Sequence, residues 1–466
     1  MCAALFIFTA ARSVAQSDEL ALKSRRGKEL MAAGRFKEAA SIYSELVRAL
    51  PNNPGLLLNL GMAEQMGGQP RKAIPRFEAA LKLDPDLLPA WLSLGASRME
   101  LGEPALAVAP LEKAIKLQPQ NEQAIRMLAD ALLSLERFEQ AALEFGKLSQ
   151  LDPKDPRAWS GLGNSYESLA GRAFETIARE GPESAYWLAL VADSRVKEGQ
   201  FRSAFFFYRQ ALEKAPDLHG IHAALAEIYR QTNHADWAAK EEEKERQLPP
   251  PAKSRTKLEE RYWQARHYND LALQAFSRLA ELPPSLQLHE LLADIHRNRH
   301  QYLEAVKDWR AALKLAPGNP QIERELATSL YLAQDYKAAA PALEKLLKRE
   351  PRAPDLHFFI GDTLLQLDHV ENAIRYLEKA LTYDPKLLPA HASLGLALAR
   401  AGKRDQAIPH LKAALKLDQD GSLHYQLSRA YQSTGQLELA KTTLAEYEQI
   451  EAQKRDLEKE IQISAP

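Results

Sequence analysis

The sequence predicts an all-α fold, a right-handed α-solenoid of stacked helix-turn-helix hairpins. Prolines recur 34 residues apart at Pro51, Pro85, Pro119 and Pro153, and again at Pro317, Pro351 and Pro385. Such a period marks an array of helical hairpins, each too small to bury its apolar face without its neighbours. Apolar residues recur at helical spacing through most of the chain, and small residues return at fixed places within each period. That composition argues against disorder.

The elements follow in chain order. Residues 1–15 open with a short apolar run and end on Ser13, Val14 and Ala15, which reads as a secretory signal whose positive leading segment is missing. The run is far short of the roughly 20 residues of a membrane span. The only cysteine, Cys2, lies in it, so a mature chain would have no thiol, disulfide or cysteine metal site. The expected location is periplasmic or secreted, with the cytoplasm as the alternative.

Beyond it, each unit is numbered 1 to 34 with its proline at slot 32. The second unit places Leu60 and Gly61 at slots 7 and 8, Ala73 at 20, Phe77 at 24 and Ala80 at 27. The third repeats this with Trp91, Leu94, Gly95, Gly102, Ala107 and Ala114. Small residues at slots 8 and 20 let two helices cross closely, the bulky residue at 24 fills the groove, and proline ends the second helix. Matching residues are Gly27, Ala39 and Tyr43; Ala141 and Phe145; Trp159, Leu162, Gly163 and Tyr166; Ala204, Tyr208 and Ala211; and His222, Ala226 and Tyr229. The pattern resumes at Ala293, Ala305 and Trp309 and runs to Leu427, Tyr431 and Ala440. In these residues the chain resembles the tetratricopeptide repeat family, over nearly its whole length and with about thirteen hairpins.

Two places break the rhythm. After Tyr166 the fifth unit loses its second-helix pattern, and Tyr268, Leu271, Ala272, Ala275 and Phe276 repeat the oddity in an irregular unit, as an internal duplication would. Before that copy stand Pro249, Pro250 and Pro251, which cannot continue a helix and predict a junction between two blocks. The charged run from Lys240 to Arg246 reads as a solvated helix face. The expected organisation is a signal over 1–15, an N-terminal block over 16–249, a linker with the irregular unit over 250–285, a C-terminal block over 286–440, and a capping helix with tail over 441–466. Leu444, Tyr447, Ile450, Leu457 and Ile461 give that last helix its apolar stripe.

Little here points to catalysis. With 61 basic and 62 acidic residues the chain lacks the basic excess of a nucleic-acid binder. Gly161 and Gly163 resemble the start of a dinucleotide fingerprint, but no strand precedes them. His289, His296 and His300 have a spacing that suits a metal, yet histidine also fills slot 4 at His222, His357, His391 and His424, which predicts a structural role. No phosphate loop, nucleophile elbow or non-repeat segment of domain size, on the order of 100 residues, is visible. Neither an enzyme nor a cofactor or metal site is expected.

The resemblance implies that slots 2, 5, 9, 12 and 13 line a concave groove. In the second and third units they hold Leu58, Met62, Met66, Leu92 and Met99, a pliable apolar strip suited to a peptide or helix. Further along they turn charged or aromatic, with Arg126, Asp130, Asn164, Arg230, Arg297, Arg324 and Tyr331, followed by Phe358, Asp362, Tyr425 and Arg429. Two specialised grooves of the family are missing their residues. Ser24, Lys28, Asn59, Pro89 and Ser93 do not assemble a clamp for a chain-terminal carboxylate, and slot 6 lacks the asparagine ladder of the sugar-transferring members.

The resulting expectation is a non-catalytic protein-interaction scaffold that holds partner peptides or helices, possessing no membrane span and no nucleic-acid surface, and supporting envelope assembly or secretion. Its competitors are a regulatory or accessory arm of an enzyme complex, such as a glycosyl-transfer system, and a self-assembling structural array. The oligomeric state is left open.

Overall fold

The computed structural model describes residues 19–250, 256–418 and 420–464, with side chains through 455, and every regular element among them is helical. The proposed signal at residues 1–15, with Cys2, lies outside the described residues, as do Pro251 and the side chains of Leu457 and Ile461. No helix among the described residues is long and apolar enough to cross a membrane.

Short antiparallel hairpins follow the predicted period. The first pairs residues 19–32 with Phe36–Ala49, the second Pro54–Met66 with Pro70–Leu83, and the third Leu88–Glu100 with Pro104–Leu117. Proline at the first helical turn suits these starts, because its missing N–H would have no partner there. Phe77 is fully buried against Gly61, where an added β-carbon would stand 2.5 Å from its ring. Between the two helices, slot 15 takes a left-handed turn even where the residue is not glycine, as at Glu136, His300, Gln334 and Asp368.

The fifth unit departs from this plan. Pro156–Glu180 is one continuous helix of 25 residues, and Lys257–Ala280 is another of 24. They are antiparallel partners: the ring of Phe276 covers Gly163, and the rings of Tyr166 and Tyr268 stack 6.3 Å apart. The shared Tyr-to-Phe pattern thus marks two helices that pack on one another, where the sequence suggested a duplicated unit. The chain between them forms two hairpins of its own, Ala185–Lys197 with Phe201–Lys214 and Ile221–Gln231 with Ala235–Gln247. A two-hairpin segment is therefore inserted inside one hairpin. With the two long helices counted as one hairpin, the described array holds twelve, one fewer than expected.

Packing separates the chain into two compact units, Met1–Arg172 with Gln264–Leu282, and Ala173–Trp263 with Pro283–Pro466. The division falls inside both long helices, whereas the sequence placed it at the three prolines. In the first unit, Leu162 and Ala275 enter one core with Leu111, Leu128 and Phe145. In the second, Tyr262 is fully buried and lies 5.4 Å from Tyr186. The C-terminal helix Leu437–Ser464 packs on Ser422–Ser433, with Tyr447 against Gly421 and Tyr425. It also packs on Phe201–Lys214 of the inserted segment. The charged run around Lys240 is less solvated than expected: Glu241 is buried beside His222, and Glu245 accepts the backbone N–H of Gly220 at 2.7 Å, next to a helix start.

Candidate partner-binding groove

Within each unit, first helices of successive hairpins touch one another. Pro54–Met66 meets Leu88–Glu100, which meets Glu122–Ser134; in the second unit Pro320–Leu332, Pro354–Gln366, Leu388–Arg400 and Ser422–Ser433 form a like series. Among the described residues successive second helices make no comparable contact, so the first helices line the inner side of each row.

On this row the apolar strip of the first unit is graded from core to solvent. Leu58 is only 9% exposed and belongs to the core with Phe77 and Leu94, so it is packing material. Met62 and Met99 are half-buried against the cores of their hairpins, and Leu92 is half-buried. Met66 is 53% exposed. Slot position alone could not separate these cases, because one helical turn moves a side chain from the neighbouring hairpin to the solvent.

The charged slots are mostly neutralised from within. Arg126 reaches Asp155 at 2.9 Å, and Arg230 pairs with Glu227 and Glu242. Arg297 holds Asp294 at 2.6 Å and Glu325 at 2.7 Å. Arg324 holds Asp355 and Glu350, each at 2.6 Å. Several of these pairs link one hairpin to the next, so they staple the array. Asn164 is exposed on the first long helix. Asp130 is open to solvent by area yet crowded by the curved wall, and this desolvation raises its carboxyl above the ordinary range against the pull of Arg157 and Arg126.

Tyr331, Asp362 and Ser393 occupy three consecutive first helices. The Tyr331 hydroxyl donates to Asp362 at 2.8 Å and the Ser393 hydroxyl donates to its other oxygen at 2.6 Å. Burial, then the Asp362 charge, pushes the Tyr331 phenol far up, so it stays a neutral donor. Ser393 and the neighbouring ring of Phe359 were not singled out in the sequence. Phe359 sits between the groove slots, and serine at slot 6 looks like any other small polar residue.

The histidines have local tasks. Trp91 and Trp159 at slot 4 each donate their indole N–H to a carbonyl six residues earlier, Pro85 and Pro153, at 2.8 Å. His357 and His391 make the same contact to Pro351 and Pro385 at 3.0 and 3.1 Å. His289 and His296 share the two oxygens of Asp308, each at 3.0 Å, while His300 occupies a left-handed turn and meets the Tyr302 hydroxyl.

Two family models, both described as tetratricopeptide repeat, match the chain, one over residues 30–97 and 98–164, the other over 324–387 and 393–454. The stretch between them contains the insert and all of the interrupted hairpin but the start of its first helix. Among solved structures, a MamA protein is 23% identical, over 42% of this chain and 92% of its own, with a TM-score of 0.31. A thermophilic repeat protein from Thermus thermophilus is 24% identical, over 39% and 98%, with a TM-score of 0.32. Another from Parabacteroides merdae is 15% identical, over 67% and 98%, with a TM-score of 0.34. No curated protein sequence matches.

Proposed function

The chain belongs to the tetratricopeptide repeat family, a fold that serves as a protein-interaction scaffold, and we propose that its first-helix row binds partner peptides or helices without catalysing a reaction. The observation that carries this reading is Met66, 53% exposed on the inner row, with Met62, Leu92 and Met99 half-buried around it. A free monomer gains little from holding adaptable apolar side chains at the surface of a curved wall, whereas a bound segment would cover them. Export is part of the proposal and rests on the apolar run ending at Ser13, Val14 and Ala15; envelope assembly or secretion would be the setting. N-terminal sequencing of the native protein should then begin near Gln16.

The binding test compares two variants in pull-downs from the native envelope fraction. Met66→Gln should melt close to wild type and weaken the captured partner about tenfold or more. Leu58→Gln, in the core, should instead unfold earlier. Unchanged capture by the folded Met66→Gln chain would sink this groove as the binding surface.

A further inference from the structure

Asp362 is a carboxylate set into the inner wall of the second unit, 7% exposed, and its two hydrogen-bond partners are both neutral hydroxyls, Tyr331 and Ser393. A carboxylate withdrawn from water is costly unless a cation answers it. Each oxygen has about two acceptor sites, so each retains one after receiving its hydroxyl. Asp362 makes no ion pair among the described residues, whereas Arg324, on the preceding first helix, is held by Asp355 and Glu350. Elsewhere on the inner rows most charges, such as Arg126, Arg297 and Arg324, are answered by carboxylates of the array itself. Asp362 is not answered in this way.

The surroundings favour a cation. Tyr331 lies 5.0 Å from Phe359 and 6.0 Å from Tyr336, and Phe358 lies 5.2 Å from Phe359. All four rings are half-buried, and Tyr331 touches the carboxylate through its hydroxyl. Aromatic faces attract ammonium and guanidinium groups, more strongly where water is partly excluded.

We infer that Asp362, with the rings of Tyr331, Phe358 and Phe359, forms a subsite for a lysine or arginine side chain of the bound peptide. The inference rests on the reading that the first-helix row takes peptides, and it adds which residue one part of that row selects. The incoming cation would take the free acceptor sites of Asp362 while its stem lies along the rings. Acidic segments would be repelled at the same place, and an apolar segment would leave the carboxylate without a counter-charge.

The test is a selection of displayed random hexapeptides on the full-length chain, run in parallel on Asp362→Asn and Tyr331→Phe after both are checked for wild-type helicity. The wild type should enrich peptides with a basic residue at one position, and those peptides should bind Asp362→Asn about tenfold or more weakly. Tyr331→Phe keeps the carboxylate and removes a competing donor, so the basic preference should persist there; its loss would overturn the inference. Enrichment without a basic residue, or equal binding by Asp362→Asn, would also overturn it and leave the groove reading standing. Capture of no peptide by the wild type would overturn both.

Discussion

Gly163 lies beneath the ring of Phe276, so close that an added β-carbon would stand 2.4 Å from it. The second residue of this contact arrives from the far side of two inserted hairpins. It repeats the approach of Phe77 to Gly61, made there within a single unit. The fifth hairpin therefore obeys the same packing rule as the others while borrowing its second helix from later in the chain.

Gly163→Val should overpack this crossing and cost about 1–3 kcal/mol. Phe276→Ala, at a half-buried site, should cost about 2–4 kcal/mol. Because the valine would fill part of the space that the ring leaves, the double variant should be less destabilised than the sum by about 1 kcal/mol or more. Chemical denaturation of the four proteins checks this, and additivity within about 0.5 kcal/mol would contradict the contact.

Gln334 holds a left-handed turn at φ 58° in the slot that is glycine in several other hairpins. A side chain there costs roughly 1–2 kcal/mol relative to the ordinary helical region, and glycine removes that cost while adding freedom to the unfolded chain. Gln334→Gly should therefore stabilise the protein by about 0.5–1 kcal/mol. A lower urea midpoint would show that the Gln334 side chain contributes more than its backbone costs.

Asp130 predicts a pH effect of definite sign. Its carboxyl is raised in the folded chain by desolvation, so the folded state binds that proton more tightly than the unfolded state does. The group therefore costs stability once the pH exceeds the unfolded carboxylate range, and costs nothing when both states are protonated. Asp130→Asn should be neutral or stabilising near neutral pH, and the difference should vanish in acid. Melting curves at the two pH values decide it; a variant less stable near neutrality would mean that Arg157 and Arg126 outweigh the burial.

The regular hairpins were legible because their determinants are local: Gly61, Ala73, Phe77 and Pro85 act within one period. The interrupted hairpin was not. Its two irregular stretches stood out, but periodicity says only that Tyr166 and Tyr268 share a pattern, and partners and copies look alike at that level. The groove row was readable by slot, whereas its chemistry was not. Arg297 and Arg324 looked free for a partner because the residues that answer them, Glu325 and Asp355, belong to the next hairpin.

The interleaved order makes a last prediction that separates it from two consecutive blocks. A recognition sequence for a specific protease, placed between Pro250 and Thr256, lets the chain be cut after the inserted hairpins and before the second long helix. If the blocks were consecutive, the halves would part as two folded fragments. In the structure, however, Gln264–Leu282 packs with the N-terminal part of the chain, and Ala173–Trp263 packs with the C-terminal part. Each half therefore supplies helices to a core completed by the other, with Phe276 on Gly163 in one unit and Leu258 on Gly181 in the next. The cut protein should elute from a sizing column at its uncut position, keep its helical signal, and separate only in denaturant. Elution as two folded fragments without denaturant would rule the interleaved arrangement out.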